Sequence, residues 1–183
     1  MKKNEQRIVV SPRSYVNLRD VAKQIRKMAK KADYIDDMCL DVVGFYGYLA
    51  GEIPDSFRFH VAEASELPDS SHEGLTKPNG EILIREDVFD GACDGNGRDR
   101  FTMVHELEHW FMHRKSFGFA RSSQTVPSYK CPEWQANTAA SFTLMPTGAV
   151  RRSNADPITL AELCKVSPRA AEVRCDIYRK RSI

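Results

Sequence analysis

The strongest constraint on this chain is one helical segment that carries its own chemistry. Phe101, Val104, Leu107, Trp110 and Phe111 recur at helical spacing ahead of Gly118 and predict a helix with an apolar stripe. The same segment contains His105-Glu106-Leu107-Glu108-His109. Histidines four residues apart project from one helix face, about 6 Å apart along the axis, so both can reach one ion.

A catalytic zinc usually has three protein ligands and an open position. His113, Glu108 and Glu133 are the candidates for the third. His113 lies about 12 Å from His105 along a straight helix, which suits a residue at the rim or behind the ligands. Glu108 points about 100° away from His109 around the helix and is expected to be solvated or ion-paired. Glu133 is better placed, because it opens a further helix after a loop long enough to fold back. Glu106 sits beside the ligands, where a carboxylate can take a proton from metal-activated water, so amide hydrolysis is the expected reaction.

The rest of the chain predicts an α+β domain. Leu18, Val21, Ile25 and Met28 form an amphipathic helix over 18–32, and 39–53 predicts a second helix stopped by Pro54. Alternation over 57–62, a short strand near 72–76 and the β-branched run 81–85 after Pro78-Asn79-Gly80 predict a small antiparallel sheet. Residues 120–131 look like a polar loop, and Pro132 opens a helix to about Leu144. Asp156-Pro157 and Ser167-Pro168 each start a short helix, giving a C-terminal helical pair. The expected division is a core over 1–150 and the pair over 151–183, packed on that core.

Composition narrows the function classes. A formal charge of +2, from 27 basic and 25 acidic residues, is too balanced to predict a nucleic-acid binder from bulk electrostatics. The start, Met1 to Val10, lacks the apolar run of a secretory signal, and no stretch is long enough to span a bilayer. Five scattered cysteines show no C-x-x-C pair. The expectation is a cytoplasmic protein with reduced thiols.

Arg98-Asp99-Arg100-Phe101-Thr102-Met103-Val104 leading into the two-histidine motif, followed by Glu133, Ala136, Asn137, Ala140 and Leu144-Met145-Pro146, resembles the ImmA/IrrE family of metallopeptidases. The strand Ile82-Leu83-Ile84-Arg85 and the C-terminal residues Leu160-Ala161, Val166-Ser167, Ala170, Ala171 and Arg174 extend the resemblance over roughly residues 15 to 178. It implies a zincin-like, thermolysin-like minimal core with zinc, or manganese or another divalent ion, on His105, His109 and Glu133. It also implies Glu106 as catalytic base and Asn137 as a residue orienting a ligand. The family usually has glycine where this chain has Glu108 and phenylalanine where it has Ala139, so Glu108 is expected to crowd or charge the cleft.

By the same resemblance the substrate is a helix-turn-helix transcriptional repressor, cleaved by an intracellular endopeptidase. A zincin substrate runs along a sheet edge, and Ile82, Leu83 and Ile84 are the strand assigned to it. Two other functional classes stand beside this one. A zincin fold could bind a partner without turnover, with Glu108 as the spoiler. The helix–turn–helix spacing of Ile158 to Tyr178, followed by Arg179-Lys180-Arg181, could read DNA; His60, His72, His113 and Tyr129 are candidates to assist an oxyanion.

Overall fold

The structure is a computed structural model describing residues 7–114, 120–122 and 126–183. The chain begins with β1 (Arg7–Val9) and α1 (Tyr15–Lys31). Ser14 caps α1: its hydroxyl accepts from the Asn17 N–H, and Asn17 Oδ1 accepts from the Ser14 N–H. A hairpin of β2 (Ile35–Asp36) and β3 (Cys39–Leu40) precedes α2 (Val42–Glu52). The helix expected from residue 39 thus starts at Val42, because the Asp41 side chain caps it by accepting from the Gly44 N–H.

Strands β4 (Arg58–Ala62), β5 (Gly74–Thr76) and β6 (Glu81–Arg85) form a three-stranded sheet in the order β4-β6-β5. β5 and β6 are an antiparallel hairpin turned at Gly80, whose φ of +84° glycine adopts without strain. β4 pairs with β6 in parallel, so the sheet is mixed and the expectation of an antiparallel one is corrected. The chain from β4 passes through β5 before returning, and that excursion is the crossover a parallel pair needs.

The same order corrects the assignment of Ile82, Leu83 and Ile84 to a substrate edge. β6 is the central strand, bonded to β4 on one side and β5 on the other, and all three residues are buried. A continuous apolar run is the pattern of a strand covered on both faces. The edge beside the two-histidine helix is β5.

After β6 come α3 (Glu86–Cys93) and α4 (Gly97–His113), capped by the Asn96 side chain, which accepts from the Arg98 and Asp99 N–H groups. The helical spacing expected up to Gly118 ends in α4 at His113; residues 115–119 lie outside the described residues. In the stretch expected to be a polar loop, β7 (Ala120–Ser122) pairs antiparallel with β1, and a 3-10 turn covers Ser128–Lys130. Then follow α5 (Pro132–Leu144), α6 (Thr147–Arg152), α7 (Pro157–Cys164) and α8 (Pro168–Arg181). Asp156 and Ser167 cap the last two as their sequence positions suggest.

Helix α4 lies between the sheet and α5, and α1 covers the other side of α5. The C-terminal helices complete this core. Leu160, Cys164, Ala171 and Cys175 belong to the same buried cluster as Phe45, Leu107 and Trp110. Gly97, the first residue of α4, sits so close to the α7–α8 turn that a Cβ there would collide with the Val166 carbonyl carbon. Arg100 Nε donates to Lys165 O at 3.0 Å across the same contact. The expected boundary after residue 150 falls inside α6, and the C-terminal pair shares the buried cluster of the core on which it packs.

The basic residues of the pair are largely engaged within the protein. Arg174 is fully buried and donates to Met145 O and Ile183 O, while Arg169 and Arg179 pair with Glu172 and Asp176. Among the described residues no helix is long and apolar enough to cross a membrane.

Candidate metal centre

Helix α4 turns Met103, Val104, Leu107 and Trp110 into the core and leaves Glu106 and His109 lining a cleft of about 410 Å³, with His105 one turn before His109. Glu133 enters from the first turn of α5, where Pro132 occupies a position whose missing N–H costs no hydrogen bond. The three expected ligands meet. His105 Nε2 lies 3.2 Å from Glu133 Oε2, His109 Nε2 lies 3.3 Å from Glu133 Oε1, and the two Nε2 atoms are 3.0 Å apart.

These separations fit a shared cation. Donors placed tetrahedrally at roughly 2.0 to 2.1 Å from an ion stand about 3.3 Å apart. Two imidazole nitrogens and a carboxylate oxygen converging in this way repel one another unless a cation or protons lie between them. The protein's electrostatics respond in that sense: hydrogen bonds to His105 and then His109 hold the Glu133 carboxyl well below the usual carboxylate range. Burial acts against a charged His105, but the neighbouring Glu133 and Glu106 outweigh it and raise that imidazole above its ordinary value. Among the described residues this is the one His/Cys/Asp/Glu group arranged to hold a metal.

Supporting groups surround the ligands. Asn137, one turn after Glu133, places Oδ1 3.2 Å from His105 Nδ1. His113 stands behind His109, Nδ1 to Nδ1 at 3.2 Å, and does not join the donor triangle. Burial pushes the His113 imidazole down to about 4.

Glu106 reaches the same cleft against β5. Thr76 Oγ1 stands 2.7 Å from Glu106 Oε2 and 2.9 Å from the Glu106 carbonyl, so the hydroxyl can donate to the carboxylate and hold it. Gly74 is the close approach that lets Glu106 pass: a Cβ there would meet Glu106 Cγ at 2.8 Å. Glu73–Arg85 and Lys77–Glu81 are hydrogen-bonded positions of the hairpin, through Arg85 N–H to Glu73 O and Lys77 N–H to Glu81 O. By alternation, Gly74 and Thr76 direct their N–H and C=O groups away from β6, to the open edge.

Gly74 and Thr76 were not singled out by sequence, because a three-residue Gly-Leu-Thr strand has almost no periodic signal. Gln135 was also missed; nothing in the sequence sets it apart from Glu133 and Asn137, the other polar residues near the start of the helix.

Glu108 differs from its expectation. It is fully buried, turned away from the cleft towards α5, and accepts from the Thr143 hydroxyl through Oε1, while Oε2 has no partner among the described residues. Burial pushes its carboxyl up to about 8, so it is neither solvated nor charging the cleft.

The oxyanion candidates separate by position. His72 and His113 line the cleft, whereas Tyr129 lines a different one and His60 is paired with Glu66 on the surface.

The family model of the M78 peptidases, described as the IrrE N-terminal-like domain, matches residues 61–176, well over half of the chain. The matched span contains β5, β6, α4 and α5, and so every group described around the metal-ligand donors. No curated protein matches the chain. A metallopeptidase of this kind implies a divalent metal, usually zinc, for which the His105, His109 and Glu133 cluster supplies suitable donors. The chain belongs to the ImmA/IrrE family of metallopeptidases.

Proposed function

We propose that this metallopeptidase is a zinc-dependent endopeptidase with a zincin-like, thermolysin-like core, in which His105, His109 and Glu133 hold the ion and Glu106 is the catalytic base. The observation that carries the reading is the convergence of the donors, two Nε2 atoms 3.0 Å apart that each lie 3.2 to 3.3 Å from one of the two Glu133 oxygens, beside a carboxylate anchored on an open strand. A divalent ion held there would supply Lewis acidity, polarising the scissile carbonyl and making water more acidic. Glu106, with Oε2 held by Thr76, keeps Oε1 to accept the proton of the attacking water and return it to the departing amine.

The edge that receives substrate is β5. An extended peptide pairing with the outward N–H and C=O groups of Gly74 and Thr76 would gain backbone hydrogen bonds and bring its carbonyl alongside Glu106. The proposed substrate is an intracellular helix-turn-helix repressor, carried by the family resemblance, and cleavage requires one of its segments to extend.

The test is metal dependence with a denatured protein substrate, which offers extended segments without assuming a particular repressor. Hydrolysis should vanish on chelation and return with stoichiometric zinc. Zinc-loaded protein that never cleaves such a substrate, at any ratio, would remove the endopeptidase reading and leave a binding module.

A further inference from the structure

We infer that His113 and Gln135 are positioning residues that fix His109 as its Nδ1–H tautomer, through a hydrogen-bond chain anchored on two backbone carbonyls. The inference rests on the metal centre proposed above and extends it into the core. The chain starts at Gln135, which is fully buried in α5. Its Nε2 donates to Ser11 O and to Tyr129 O, each at 2.8 Å. Carbonyls can only accept, so the amide nitrogen must face them and the orientation of this side chain is fixed.

Gln135 Oε1 is therefore the atom facing His113, 3.0 Å from Nε2. That nitrogen must donate. His113 is buried, which favours the uncharged ring, and an uncharged ring that donates through Nε2 carries a lone pair on Nδ1. His113 Nδ1 lies 3.2 Å from His109 Nδ1, which must then be the donor. The result is an Nε2 lone pair on His109 aimed at His105 Nε2 and Glu133, the arrangement a divalent ion requires.

The two histidine ligands are held in unequal ways. His105 is oriented in one step by Asn137 on the neighbouring helix. His109 is oriented in three steps that end on the segment before α1 and on the turn before α5. The carbonyl of Ser11, outside the family match, thereby becomes part of the ligand's support.

The experiment has two readouts, neither of them peptide cleavage. Long-range proton–nitrogen spectra of the imidazoles in metal-free, isotope-labelled protein at alkaline pH should show His109 protonated on Nδ1 and His113 on Nε2. Zinc titrations should give Gln135→Met and His113→Phe a dissociation constant raised roughly 10- to 100-fold over wild type. In Gln135→Met the His109 signal should also lose its single-tautomer signature, a change that lost packing alone would not produce. His109 protonated on Nε2 in the wild type overturns the inference even if both variants fail to fold. So do folded variants that bind zinc within twofold of wild type. A wild type that takes up no zinc instead overturns the metal reading beneath it.

Discussion

Two glutamates stand two residues apart on α4, and the fold gives them opposite surroundings. Glu106 faces the cleft, with Thr76 on one oxygen and Gly74 making room for its stem. Glu108, about 200° further around the helix, is sealed against α5 with a single hydroxyl donor and an unpartnered oxygen. The first carboxylate reaches the cleft with one oxygen held by Thr76; the second is turned away from it, and burial pushes its carboxyl up to about 8. Residue type alone therefore says little about role, whereas the helix face and what is packed on it say a good deal.

Substitution at each glutamate should separate the two faces. Glu106→Gln should lower hydrolysis roughly 100- to 10,000-fold while metal content and unfolding temperature stay near wild type, as expected on removing a general base. Equal loss of activity from Glu108→Gln would break the contrast.

Glu108→Gln should act on stability instead, with a definite pH dependence. The folded protein keeps the Glu108 proton up to about pH 8, whereas an ordinary carboxyl releases it near 4.5. Between those values the folded state binds more protons than the unfolded one, so this group makes wild-type stability fall as pH rises. Glutamine does not titrate. The variant should be more stable by about 4 kcal/mol at pH 8, with the advantage shrinking towards pH 4.5, in denaturant unfolding of metal-free protein.

The smallest effect belongs to the strand beside Glu106. Gly74→Ala places a Cβ against the Glu106 stem and should reduce turnover about tenfold by displacing the carboxylate, with zinc affinity unchanged. Full activity in this variant would mean that the Gly74 contact does not set the position of the base.

The parts of this account that were legible in sequence share one property: a strong local signal. His105, Glu106 and His109 form a recognised spacing on a periodic helix, and Pro132 announces the helix that delivers Glu133. Caps at Asp156 and Ser167 marked helix starts correctly because a side chain three residues from the N–H it serves is a local matter.

Sheet order is not local, and there the reading went astray. Ile82-Leu83-Ile84 looked like the working strand because it is the loudest, yet its apolarity on both faces is the mark of the centre of a sheet. The quiet Gly74-Leu75-Thr76 strand has the accessible edge. Burial of Glu108 depends on how α5 crosses α4, and no spacing within α4 records that crossing.

The most direct test of the metal centre compares zinc content and affinity in wild type, Glu133→Ala and Glu106→Gln, since Glu133 alone must cross from another helix to complete the site. One zinc per wild-type chain, retained by Glu106→Gln and lost or bound far more weakly by Glu133→Ala, is the expected result. Zinc bound equally by wild type and Glu133→Ala, or absent from the wild type, would contradict the account.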